Sequence, residues 1–151
     1  LVGSEMCIRD SLWTYCLYDE SIKMIIDLVQ NSSFTGLVAT NTTVNKANIT
    51  NEKLKGEDGG LSGQPLMEKS TNKISFIRSK TPNMPIIGVG GVMSKKDFLT
   101  KIEVGANLVQ IYTGFVYHGP RHIKKMEIEL KNLLLQDGYR SIDHAVGALI
   151  R

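Results

Sequence analysis

Apolar runs at Gly36–Thr40, Pro85–Val89 and Leu108–Tyr112 alternate with segments of helical periodicity, and the last two runs each end in a glycine turn. This alternation predicts an α/β fold with parallel strands and helical crossovers: the C-terminal portion of a (β/α)8 TIM barrel, comprising its last three βα units. Gly88-Val89-Gly90-Gly91 follows Ile86-Ile87, and Tyr112-Thr113-Gly114 follows Val109-Gln110-Ile111. Glycine lets backbone N–H groups approach an anion closely, so two such turns on neighbouring strands converge on one phosphate. A (β/α)8 barrel builds that site after its seventh and eighth strands. A whole barrel needs roughly 250 residues. With 151 residues in hand, further barrel sequence is expected upstream.

Each element has its own signal. Residues 1–18 are expected to be a non-native or disordered leader, because Leu1 to Leu12 show no period and Val2 to Ser11 resemble a translated sequencing adapter; the barrel portion is placed at 19–151. Asp19 to Gln30 sets Ile22, Ile25, Ile26 and Val29 at helical spacing, with acidic residues at the start where they suit the helix dipole. The strand at Gly36 ends in the polar string Thr40-Asn41-Thr42-Thr43, at the top of the sheet. Val44 to Pro65 is a long polar loop carrying Gly59-Gly60-Leu61-Ser62-Gly63, and a loop of that length over a barrel mouth is functional. A helix over 66–79 draws its apolar side from Ile74, Phe76 and Ile77. Ser94 is the N-cap of a helix that ends at Gly105. After His118-Gly119-Pro120 a last helix runs to Asp137-Gly138, and Ser141 to Arg151 adds a short helix-like cap.

Composition excludes several function classes. With 42% apolar and 22% charged residues the chain has a globular composition. The net charge of +3 is spread along helices and loops in company with Asp and Glu, which does not indicate a nucleic-acid surface. Cys7 and Cys16 have no CxxC spacing, so neither a disulfide framework nor a zinc site is suggested. His118 and His122 flank Gly119-Pro120 and, like His144, lack a carboxylate pair to complete a metal site. No run approaches the eighteen or so apolar residues of a membrane-spanning helix. The triplets at Asn31, Asn41 and Asn48 are read as unglycosylated.

Four strings occur in order: Thr40-Asn41-Thr42-Thr43, Gly59 through Leu66, Pro85 through Gly91, and Leu108 through Phe115. Together they resemble the C-terminal part of a dihydroorotate dehydrogenase, over about Asp19 to Gly147. Gly63-Gln64-Pro65-Leu66 resembles the quinone-dependent, membrane-associated class. The resemblance implies oxidation of dihydroorotate to orotate in pyrimidine biosynthesis, with FMN as hydride acceptor and ubiquinone or menaquinone reoxidising it. It implies FMN binding at Thr40, Gly63, Gly90, Gly91, Tyr112 and Thr113, and substrate binding at Asn41 and Thr42, whose amide and hydroxyl suit the mixed donor and acceptor edge of a pyrimidinedione. Ser94 would start a helix facing the same phosphate. The family's catalytic base is a serine on an earlier loop, and its flavin-facing lysine would align near Leu12; neither is supplied here, and Ser62 matches no base position. The parent enzyme would dock on the cytoplasmic face of a bacterial inner membrane through an N-terminal helical extension. Two alternatives stand beside this reading: another phosphate- or FMN-binding barrel, such as the soluble-class dihydroorotate dehydrogenase, and a non-catalytic truncated product.

Overall fold

The computed structural model of the chain describes residues 11–14, 19–47 and 49–150. Four strands, β1 (Ser11–Thr14), β2 (Gly36–Ala39), β3 (Ile86–Val89) and β4 (Leu108–Gln110), form one sheet in sequence order. Every neighbouring pair is parallel. Parallel neighbours need a crossover of a dozen or more residues. The helices provide it: α1 (Asp19–Gln30) joins β1 to β2, α2 (Glu52–Gly56) and α3 (Met67–Lys80) lie between β2 and β3, and α4 (Lys95–Glu103) joins β3 to β4. Beyond the sheet come α5 (Thr113–His118), α6 (Pro120–Gln136) and α7 (Ile142–Ala145).

The helices cover one face of the sheet, and the burial pattern says which. Leu37 pairs with Ile86 and Ala39 with Gly88, and all four are buried against the inward residues Ile22, Ile26, Ile74, Ile77, Leu99 and Ile102. Side chains alternate across a strand, so Val38, Ile87 and Leu108 occupy the opposite face. Along that row exposure climbs from 3% at Val38 to 63% at Leu108. The expected helix at Asp19 and the strand at Gly36 are present as read, and Ser94 caps α4: its hydroxyl accepts from Asp97 N–H at 3.3 Å. Asp97 answers by accepting from the Ser94 hydroxyl at 2.9 Å and from Met93 N–H, one residue before the cap, at 3.1 Å.

Three features differ from the sequence expectation. The sheet has four strands where three were expected, because Ser11–Thr14 pairs with β2 from Ser11↔Gly36 to Thr14↔Ala39. Within the segment expected to be a non-native or disordered leader, residues 11–14 form this strand, and the rest of residues 1–18 lies outside the described residues. A parallel ladder is built from main-chain groups, so a segment without side-chain periodicity can still extend a sheet. The long loop after β2 contains α2, capped by Asn51 Oδ1 accepting from Lys53 N–H. Finally β4 stops at Gln110, and Thr113–His118 turns into α5, where Val116 and Tyr117 read as poor helix formers with no polar N-cap ahead of them.

Two buried cations hold the helical layer together. Arg78 donates from Nε and Nη2 to Gly105 O at 2.9 and 2.7 Å, from Nη1 to Thr81 O and Pro82 O, and from Nη2 to Asn107 Oδ1 at 2.7 Å. Asn107 Oδ1 also accepts from Ile86 N–H, so one guanidinium ties the end of α3 to the turn before β4 and to the start of β3. Lys101 is fully buried, and its Nζ donates to Met67 O, Thr71 Oγ1 and Ser70 Oγ at the first turns of α3. Burial lowers this amine from its ordinary 10.5 to about 7, against the opposing pull of Asp97.

Two outcomes follow for stability. Arg78→Ala leaves Gly105 O without its two guanidinium donors and Asn107 Oδ1 with Ile86 N–H alone, and should cost about 3 kcal/mol in urea unfolding; a loss below about 0.5 kcal/mol would show that the bonds contribute nothing net. The unfolded Lys101 amine holds its proton up to 10.5 and the folded one only to about 7. Stability from this group therefore rises between those values and is lost as pH falls back toward 7. Unfolding at about pH 7 and about pH 9.5 should show that rise in the wild type and a smaller one in Lys101→Met.

Candidate functional site

The carboxyl ends of β2, β3 and β4 open into one cleft of about 410 Å³. Its lining contains all eight residues that the sequence singles out: Thr40, Asn41, Thr42, Gly63, Gly90, Gly91, Tyr112 and Thr113. They come from four separate stretches of chain, and the sheet register explains the convergence. Ala39 pairs with Gly88 and Val89 with Gln110, so the residues that follow each strand emerge side by side at one edge.

After β2 the backbone stays attached to that edge, as Thr40 N–H donates to Val89 O at 3.1 Å. Asn41 Oδ1 accepts from Thr42 N–H at 2.8 Å, which turns the polar string around the corner and fixes the Asn41 side chain. Thr43 and Leu61 exchange two backbone hydrogen bonds, at 3.1 and 2.7 Å, and so clamp the glycine loop onto the strand end. The loop then crosses to the far side of the cleft, where Thr113 Oγ1 donates to Ser62 Oγ at 3.1 Å. Gly63 has φ +78°, and a Cβ there would lie 3.0 Å from Thr113 Cγ2.

The turn after β3 is the most constrained part of the site. Gly91 has φ +80°, and a Cβ on it would fall 2.3 Å from Met67 Cα. Only glycine satisfies both conditions. Among the described residues none accepts a hydrogen bond from Gly91 N–H. The Thr113 and Gly114 amides open α5, where no intrahelical acceptor exists. Backbone donors from two adjacent strands thus stand on one cleft, with the Thr113 hydroxyl beside them.

Among the described residues no charged side chain lines this cleft. Leu66, Val89, Val92 and Ile111 make its walls apolar, so an anion here would be held by amide dipoles and a planar ring by the walls. Ser62 and Gln110 also line it and were not marked from sequence; Gln110 could have been found, since as the partner of Val89 it must point to the same face. Ser94, expected to face the same region, does not line the cleft. At its helix start the Ser94 hydroxyl is engaged with Asp97, accepting from Asp97 N–H and donating to Asp97 Oδ2.

A family model described as dihydroorotate dehydrogenase matches residues 16–134. Among curated relatives, the dihydroorotate dehydrogenase (quinone) of Dichelobacter nodosus is 48% identical over 105 residues, 70% of this chain and 31% of that protein. The dihydroorotate dehydrogenase (quinone) of Trichodesmium erythraeum is 43% identical over 139 residues, 87% of this chain and 37% of that protein. The structure of DHODH from Eimeria tenella in complex with ferulenol superposes with a TM-score of 0.87 at 33% identity, over 93% of this chain and 38% of that one. The chain spans 31 to 38% of the length of these proteins. The sheet and its helices are the C-terminal portion of a (β/α)8 barrel, and the chain belongs to the dihydroorotate dehydrogenase family.

Proposed function

We propose that this segment is the FMN-phosphate and substrate-orienting part of an enzyme that oxidises dihydroorotate to orotate with a quinone as final acceptor. The observation that carries this reading is the convergence of Thr40 to Thr42, Gly63, Gly90 to Gly91 and Tyr112 to Thr113 on one uncharged, part-apolar cleft. The donor set fits a phosphate monoester: amides on two glycine-bearing turns that have no acceptor among the described residues, a hydroxyl, and, among those residues, no carboxylate to repel the anion. When bound, FMN supplies the hydride acceptor that the amino acids lack.

The chain's own residues then divide the remaining work. The amides of Gly91 and Thr113 would hold the phosphate, and the Thr113 hydroxyl would join them by turning its proton from Ser62 Oγ to the anion. Leu66, Val89 and Val92 give the cleft a wall from which water is excluded. Thr40 lies at the strand end next to Val89 and touches the flavin; Asn41 and Thr42 orient the planar anionic substrate through an amide and a hydroxyl. Removal of the carbon-bound proton falls to a serine base outside these residues. The quinone, and docking on the cytoplasmic face of a bacterial inner membrane, belong to an N-terminal extension of the parent enzyme in the same reading. Among the described residues no helix is long and apolar enough to cross a membrane.

Two measurements test this. Gly91→Ala in the intact protein should weaken FMN binding, read by flavin fluorescence, by about tenfold or more, and orotate should perturb the flavin absorption band of the wild type. A band unmoved by orotate would favour a different phosphate-binding barrel. The purified 151 residues should turn over no dihydroorotate with a quinone acceptor; measurable turnover would place a base within this chain.

A further inference from the structure

We propose that Lys101, acting through Ser70, is the positioning residue of the Gly90–Gly91 turn: it sets the direction of the Gly91 N–H and places a cation behind an anion site that has none on its surface. The inference deepens the phosphate reading above and rests on it for the identity of the ligand.

Lys101 belongs to α4 but spends all its donors on the start of α3. Its Nζ donates to Met67 O at 3.1 Å, to Thr71 Oγ1 at 2.8 Å and to Ser70 Oγ. Ser70, itself buried, passes the constraint on: its hydroxyl donates to Gly90 O at 2.9 Å. That last bond has a geometric consequence. The Gly90 carbonyl and the Gly91 N–H belong to one planar peptide unit, and in a trans peptide they point in opposite directions. With the carbonyl tied back to Ser70, the N–H is turned away from α3, and Gly90 and Gly91 both line the cleft.

A peptide between two glycines of positive φ, +108° and +80°, is otherwise free to flip, because neither residue has a Cβ to resist it. The hydroxyl of Ser70 accepts from Lys101, so its own proton is left to donate, to Gly90 O at 2.9 Å and at the longer distance of 3.3 Å to Met67 O; the shorter bond sets the direction of the relay. Full burial of a long cationic side chain among neutral acceptors is costly, and a methionine would fill the same volume.

The test uses the intact parent protein, isotopically labelled, with Ser70→Ala and Lys101→Met, titrated with FMN and with riboflavin, which lacks only the phosphate. Both variants should weaken FMN about tenfold, leave riboflavin unchanged, and shift the Gly91 amide resonance. Equal weakening of FMN and riboflavin, or no change in either, overturns the proposal by reducing Lys101 to a packing role. If the wild type shows no preference for FMN over riboflavin, the phosphate reading fails instead. The Gly91 resonance then decides the brace alone: moved in both variants it stands, unmoved it falls. Ser70→Ala keeps the test decisive should Lys101→Met not fold.

Discussion

Parallel strand register is the constraint from which the site follows. Because β2, β3 and β4 all run the same way and pair as Ala39↔Gly88 and Val89↔Gln110, their carboxyl ends finish at one level. Three stretches that are remote in sequence then leave the sheet within reach of one another, and a fourth, the glycine loop, is pinned across them by the Thr43 and Leu61 bonds and by Ser62 with Thr113. A slip of one residue would turn each side chain to the other face. Val89 and Gln110 would leave the cleft, and Gly88, which already meets Ala106 and Ile74, would present its tight packing to solvent.

Two buried cations complement that register at opposite ends of the sheet. Arg78 closes the bottom, binding main-chain carbonyls around Gly105 and, through Asn107, the first amide of β3. Lys101 closes the top, beneath the turn that follows the same strand. Both meet neutral oxygens, so each charge is solvated by fixed dipoles. The face opposite the helices has no comparable cover: Leu108 and Tyr112 are largely exposed, and Phe115, Val116 and Tyr117 continue the apolar surface along α5. In a closed (β/α)8 barrel the inner face is filled by layers of side chains from all the strands, which is the environment these residues suit.

Much of this was legible from the sequence because the relevant signals are local. Ile22, Ile26 and Val29 declare α1 by spacing, Ser94 declares a helix start by chemistry, and the glycine turns declare themselves by the absence of side chains. All eight residues marked for binding came together, since each followed directly from a strand end or a glycine loop. What escaped was decided by tertiary contact. β1 lacks any periodic pattern and exists through main-chain pairing; α5 is six residues of weak helix formers. The position of the α4 start relative to the cleft also escaped, because it is set by how α4 packs and not by the Ser94 signal itself. Lys101 could not be told from a solvated lysine, since its partners Met67, Ser70 and Thr71 are thirty or more residues away.

The central claim is that the amides beyond β3 and β4 grip one phosphate together. An experimental structure of the flavin-loaded protein measures this directly. The account predicts a phosphate oxygen within about 3 Å of both Gly91 N and Thr113 N, with Thr113 Oγ1 as a further donor. A phosphate bound elsewhere, or held by one of the two turns while the other faces away, would contradict it.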